Sequence, residues 1–322
     1  MVCFIASFFV ESRLIATVLI LANALLALIF AFSSPTFKAI VREMVLKERI
    51  ISYNSISNAG RELISMVGPL VGFFLLNAIG SRGALLVNAI TFLISALAEC
   101  FLTKLDDNIG QNNKKERLVV SIENGLHYLW KEKSILFLLL LSALVNFFLA
   151  GYNLLLPYTD VLYEDIFKNF YSKAMVAEAI GAVLGSLVNS KLPVKITKKY
   201  ITLILFLGMT GGSLILVPMV KYSKIMIIAL LPIVLFGIFL TMFNINYMSF
   251  IQINVDEEYL GRVFSVIFTV AVLFMPFGSW FFALVNLAGS INGFRCVGLG
   301  IVVLSAIAAA TTLMSKNMSK WR

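Results

Sequence analysis

A chain of 322 residues that is 60% hydrophobic and 13% charged, with a mean hydropathy of +0.95, is too apolar for an ordinary water-soluble domain, so lipid is its main solvent. A net charge of +9 would suggest nucleic acid in a soluble protein, but the basic residues sit in short gaps beside long apolar runs; no nucleic-acid partner is expected, and membrane lipid headgroups are the simpler one. Period-two alternation is absent, which excludes an outer-membrane barrel and leaves helices, whose backbone satisfies its own hydrogen bonds.

In chain order, residues 1–10 form an apolar run with no basic lead-in and no small-residue cleavage pattern, so no cleavable signal is read there. At about 1.5 Å per residue the run covers half a bilayer and reads as the outer end of a span. Full spans are expected near 14–33, 52–78, 83–102, 134–156, 170–189, 199–219, 225–247, 260–286 and 294–314. With the partial first run, these make about ten transmembrane segments in an all-α integral membrane bundle.

The longest polar gap separates an N-terminal half bundle at 1–103 from a C-terminal six-span bundle and short tail at 134–322. Between them, in the central loop at 104–133, Leu118, Ile122, Leu126 and Leu129 recur at helical spacing. This predicts an amphipathic helix, either lying on the membrane surface or packed on the bundle as a linker. A faint repeat relates Val45–Gly68 to Val255–Gly278, each running from a charged loop into a Gly/Pro-marked helix.

Alternate gaps collect Lys38, Arg42, Lys47 and Arg49, then Lys104 through Lys133, then Lys191 through Lys199, Arg262 and the basic tail, against only Arg13, Arg82, Lys168, Lys221, Lys224 and Arg295 in the others. The bias puts the first set, and the C-terminus, on the cytoplasmic side of a cell membrane. Cys3, Cys100 and Cys296 lie far apart without ligand spacing, and His127 has no second ligand near it. No metal and no cofactor is expected.

Several segments resemble one family. ENGLHYLW followed by EKSILFLLLLSAL is similar to the loop helix and span that open the second half of drug-exporter-like major facilitator transporters of the macrolide-efflux type. SPTFKAIVREMVLKERIISYNSISNAGRELISMVGPLVGFFL resembles that family's inner loop and fifth span, and DEEYLGRVFSVIF the loop before its eleventh. The resemblance implies twelve spans in two six-helix halves around a cavity opened alternately to each side. On that pattern the first two spans have no counterpart here, and the readings are a secondary transporter exporting small amphipathic molecules or a truncated, non-transporting membrane interaction protein. Enzyme activity is not expected.

Along the span 52–78, Asn54, Asn58, Arg61, Ser65, Gly68 and Gly72 fall on one helix face. That stripe either lines a cavity, with Arg61 drawing an anionic group or a carboxylate, or packs helices, with Arg61 snorkelling to headgroups. Gly60, Gly68, Pro69 and Gly72 resemble part of the exporter family's glycine-proline signature, whose role is close helix contact with a bend.

Glu178, near the middle of the span 170–189, is the deepest acid. A carboxylate there costs about 2.5 kcal/mol or more, so it must face water or a partner. The alternatives are proton coupling and a fixed structural bond; Glu62, beside Arg61 on another face, is the second coupling candidate. Asn146 with Asn153, and Thr241 with Asn244, mark two further possible cavity faces for a small-molecule substrate.

Overall fold

The computed structural model describes residues 36–42, 44–101, 128–193, 199–222, 225–285 and 292–314, with Ile29, Ser33 and Ser290 as isolated positions. All regular elements among them are helical. The main ones are α1 (Ile50–Glu99), α2 (Lys133–Leu155), α3 (Phe170–Lys191), α4 (Tyr200–Leu216), α5 (Met226–Asn254), α6 (Glu257–Leu284) and α7 (Asn292–Met314).

Seven stretches among the described residues are long and apolar enough to cross a membrane: Arg82–Glu99, Lys133–Leu162, Phe170–Lys191, Tyr200–Met219, Met226–Asn254, Glu257–Leu284 and Asn292–Thr312. The expected runs at 1–10 and 14–33, the loop helix carrying Leu118, Ile122 and Leu126, and the basic tail fall wholly or almost wholly outside the described residues. Of that loop helix, a turn at 128–131 is described, and its Leu129 is buried against the bundle.

Two expected spans, 52–78 and 83–102, emerge as one helical run. At about 1.5 Å per residue, the 50 residues of α1 would reach about 75 Å, more than twice the hydrocarbon thickness. The run is broken at Gly80, whose φ of 70° and ψ of 177° belong to a region that only glycine occupies readily. The break falls inside the expected gap. Helix α5 differs too: it continues to Asn254, past the expected end at 247, because Ser249 and Gln252 in its last turns find partners on α1.

Helices α2 to α7 form the apolar core. Its centre is aromatic: Tyr152 on α2 lies 4.4 Å from Phe236 on α5 and 6.2 Å from Phe294 on α7, ring centre to ring centre. Helix pairs inside this bundle meet backbone to backbone through glycine. A methyl on Gly181 or Gly185 of α3 would fall on the Val234 or Ile238 carbonyl of α5, and one on Gly237 of α5 would fall on the Glu178 carbonyl. Gly211 and Gly298 bring α4 and α7 together in the same way, and Gly278 sets α6 against the backbone at Phe147 of α2. Such contacts suit lipid, where apolar burial gives no drive between helices and close van der Waals packing must supply it.

Candidate functional site

Among the described residues, helix α1 meets this bundle chiefly along α3 and α5, and the side-chain bonds there are polar. At its start, buried Asn54 donates from Nδ2 to Ser249 Oγ at 2.9 Å and to Gln252 Oε1 at 2.6 Å. Ser55 Oγ accepts from Asn189 Nδ2 at 3.0 Å, and Asn189 Oδ1 accepts from Asn246 Nδ2 at 2.6 Å. One turn on, Asn58 Nδ2 donates to Ser186 Oγ at 3.1 Å.

The helical segment 36–42 completes the seam. Gln252 Nε2 donates to the Lys38 carbonyl at 2.6 Å, and Arg42 Nε pairs with Glu257 Oε1 at 3.1 Å. Arg42 is 5% exposed and Glu257 35%. Next to this pair, Tyr128 stacks on Tyr259 at 4.6 Å, its hydroxyl accepts from the Asp256 amide at 3.2 Å, and the Arg262 guanidinium lies 5.3 Å from the Tyr259 ring centre. Burial raises the Tyr128 hydroxyl above its ordinary value. Burial, reinforced by the nearby Arg61 charge, lowers the Lys38 ammonium to about 8.

Each neutral hydrogen bond contributes a net of about 0.5–1.5 kcal/mol. Five neutral bonds and the Arg42–Glu257 ion pair join α1 and the 36–42 segment to the bundle; together they are strong enough to hold one arrangement, and each neutral bond is weak enough to be exchanged for water. At the next turn the bonding folds back on α1 itself: among the described residues, exposed Arg61 donates from Nη2 to Asn58 Oδ1, at 3.1 Å, within its own helix.

Among the described residues, nothing lies within 4 Å of a β-carbon built on Gly60, Gly68 or Gly72, so in this arrangement these glycines make no close helix contact. Pro69 lies between them in the same helix.

Glu178 sits on the bundle side, half-buried, and its Oε2 accepts from the Tyr152 hydroxyl at 2.7 Å. Glu62, half-buried on α1, is within electrostatic reach of it. The other candidates disperse. Asn146 donates to the Ser142 carbonyl of its own helix, Asn153 and Asn244 are exposed, and Thr241 is buried. The structure adds Ser55, Ser186, Asn246, Ser249 and Gln252, for which the steps of three from Asn246 to Ser249 to Gln252 are the available sequence signal, and joins to them Asn189, which shares the Glu178 face of its span in the sequence. Among the described residues there is no group of three His, Cys, Asp or Glu side chains placed to hold a metal ion.

A family model described as Major Facilitator Superfamily matches residues 1–279. Macrolide efflux protein A of Enterococcus faecalis is 21% identical over 250 residues, which cover 77% of this chain and 76% of that protein. Macrolide efflux protein A of Streptococcus pyogenes is also 21% identical over 250 residues, 77% of this chain, but the match spans only 61% of that relative's length. Among solved structures, a bacterial homologue of the iron transporter ferroportin, crystallised in an outward-facing state, superposes with a TM-score of 0.59 at 16% identity, covering 94% of this chain and 74% of that one. At that identity the likeness is one of fold.

Proposed function

Because this chain belongs to the Major Facilitator Superfamily, and is a multi-pass membrane transporter rather than an enzyme, we propose that it exports small amphipathic molecules of the macrolide class by alternating access. The observation that carries this reading is where the seam stops. α1 is bonded to α3 and α5 from Asn54 to Asn58, while the next two turns, from Arg61 onward, are largely exposed. On this reading the bonded end is the closed gate of the transport path, and a seam made largely of neutral bonds lets it part.

The bias of the basic loops supports a cytoplasmic position for that closed end, and on this reading the arrangement is outward-open. Export is favoured by the named function of the two efflux relatives. The two halves on either side of the central loop are the bodies that rock.

Coupling to protons is assigned to Glu178, with Glu62 as its counterpart. The two carboxylates sit on α3 and α1, the elements that separate when the seam opens, so the repulsion between them changes over the cycle. A proton taken up by Glu178 while the path faces outward removes that repulsion and travels inward as substrate moves out. Tyr152 holds the carboxyl in place throughout.

The test is efflux of a fluorescent amphiphile from cells and from proteoliposomes under an imposed pH gradient. The wild-type chain lowers cellular dye and responds to the gradient, whereas Glu178→Gln folds, binds dye and loses the gradient response. Dye levels equal to those of cells without the protein defeat the export reading; an unchanged pH response in the variant removes Glu178 from coupling.

A further inference from the structure

The basic end of the molecule carries more positive charge than its seam uses. Lys38 and Arg42 stand four residues apart on one helical segment, hence on one face, with β-carbons about 6 Å apart. Arg61 of α1 is close enough for its charge to act on Lys38. Among the described residues, the one carboxylate paired with any of these three cations is Glu257, and it engages only Nε of Arg42.

Arg42 Nη1 is buried and has no hydrogen-bond acceptor among the described residues. The Glu62 carboxylate beside Arg61 in sequence is felt by Glu178 on the bundle side, and Asn58, the partner of Arg61, is neutral. Leaving a charged donor buried without an acceptor is costly, and the Arg61 charge acting on half-buried Lys38 adds to it. One small anion relieves both costs.

We propose that Lys38, Arg42 and Arg61 form a binding site for an oxyanion of the phosphate class, seated where the 36–42 segment meets the start of α1. Arg42 offers the planar donor edge that its bond to Glu257 leaves over, and Lys38 and Arg61 add charge from one turn along and from the neighbouring helix. The phosphate is either the headgroup of an acidic phospholipid, which the depth of the site at a helix end admits, or a soluble phosphate from the adjoining aqueous side. Occupancy neutralises the repulsion between Lys38 and Arg61 and so favours the arrangement with the seam closed. The site is independent of what the protein transports.

The test uses the full chain in nanodiscs of phosphatidylcholine at fixed ionic strength. Phosphatidylglycerol is added to one series and inorganic phosphate to another; thermal unfolding and native mass spectrometry are the readouts. A saturable rise in Tm with phosphatidylglycerol alone identifies a lipid headgroup, and a rise with both ligands identifies a free oxyanion. Lys38→Gln and Arg61→Gln each weaken the effect about tenfold, the loss of roughly one charge-assisted bond, while Lys47→Gln, an exposed charge in the same loop, leaves it unchanged. No rise with either ligand, a rise that survives in both Lys38→Gln and Arg61→Gln, or an equal loss in Lys47→Gln overturns the proposal.

Discussion

Helix α3 has two kinds of neighbour, and it meets them differently. Toward α5 it presents Gly181 and Gly185, where backbones touch with no side chain between them, and only near its end does Asn189 accept a bond from Asn246. Toward α1 it presents Ser186 and Asn189, which reach across and are answered by Asn58 and Ser55. The first contact can be separated only by giving up many van der Waals contacts that lipid does not replace in kind. The second comes apart bond by bond, and water can satisfy each group as it is released. One face of α3 is thus built to stay and the other to let go.

Mutations on the two faces should therefore fail in different ways. The largest effect is expected from Gly181→Val, whose added carbons would press on the Val234 carbonyl. It should cost about 3 kcal/mol, the upper part of the usual overpacking range, and be seen as lost monodisperse protein in detergent. Normal yield and melting in this variant would contradict the close α3–α5 contact.

Asn54→Ala comes next, at about 1–2 kcal/mol, because Ser249 and Gln252 lose the donor between them. The protein should remain folded while the population with the seam parted rises about 5- to 30-fold. Spin labels at Lys47→Cys and Lys191→Cys would report this as a longer distance component; an unchanged distribution would mean that the seam is held elsewhere.

A further effect concerns pH. Lys38 releases its proton near pH 8 in the folded protein but keeps it to about 10.5 when unfolded, so the unfolded chain binds more protons between those values and stability rises with pH across that window. Lys38→Gln should flatten the rise, as followed by thermal unfolding from pH 7 to about 11.

The spans were readable because an apolar run is measured against a fixed thickness of hydrocarbon, and charge punctuates it. Phe170–Lys191 and Asn292–Met314 begin and end within two residues of where the runs do. Asn54 and Asn58 were visible as a polar stripe for the same reason: they interrupt grease at helical spacing. Their partners were not.

Hydropathy says that Asn246 is anomalous in lipid but not which helix answers it, and Asn54 is separated from Ser249 by 195 residues. Arg42 shows the opposite blindness. A charge in a gap between spans is counted as solvated and used to orient the bundle, so nothing in its sequence position signals that it is buried against Glu257. The glycine stripe of α1 was read from residue type alone, and residue type does not tell whether a neighbouring helix stands opposite.

Gly80 has a mechanical consequence. A join of one residue spans about 3.8 Å, so the piece that carries Asn54 and Asn58 and the piece from Arg82 to Glu99 cannot slide past one another by more than that. Any displacement that parts the bonded end is transmitted through the join to a helix whose side chains are mostly exposed. The latch and its surroundings in the bilayer are thereby geared together.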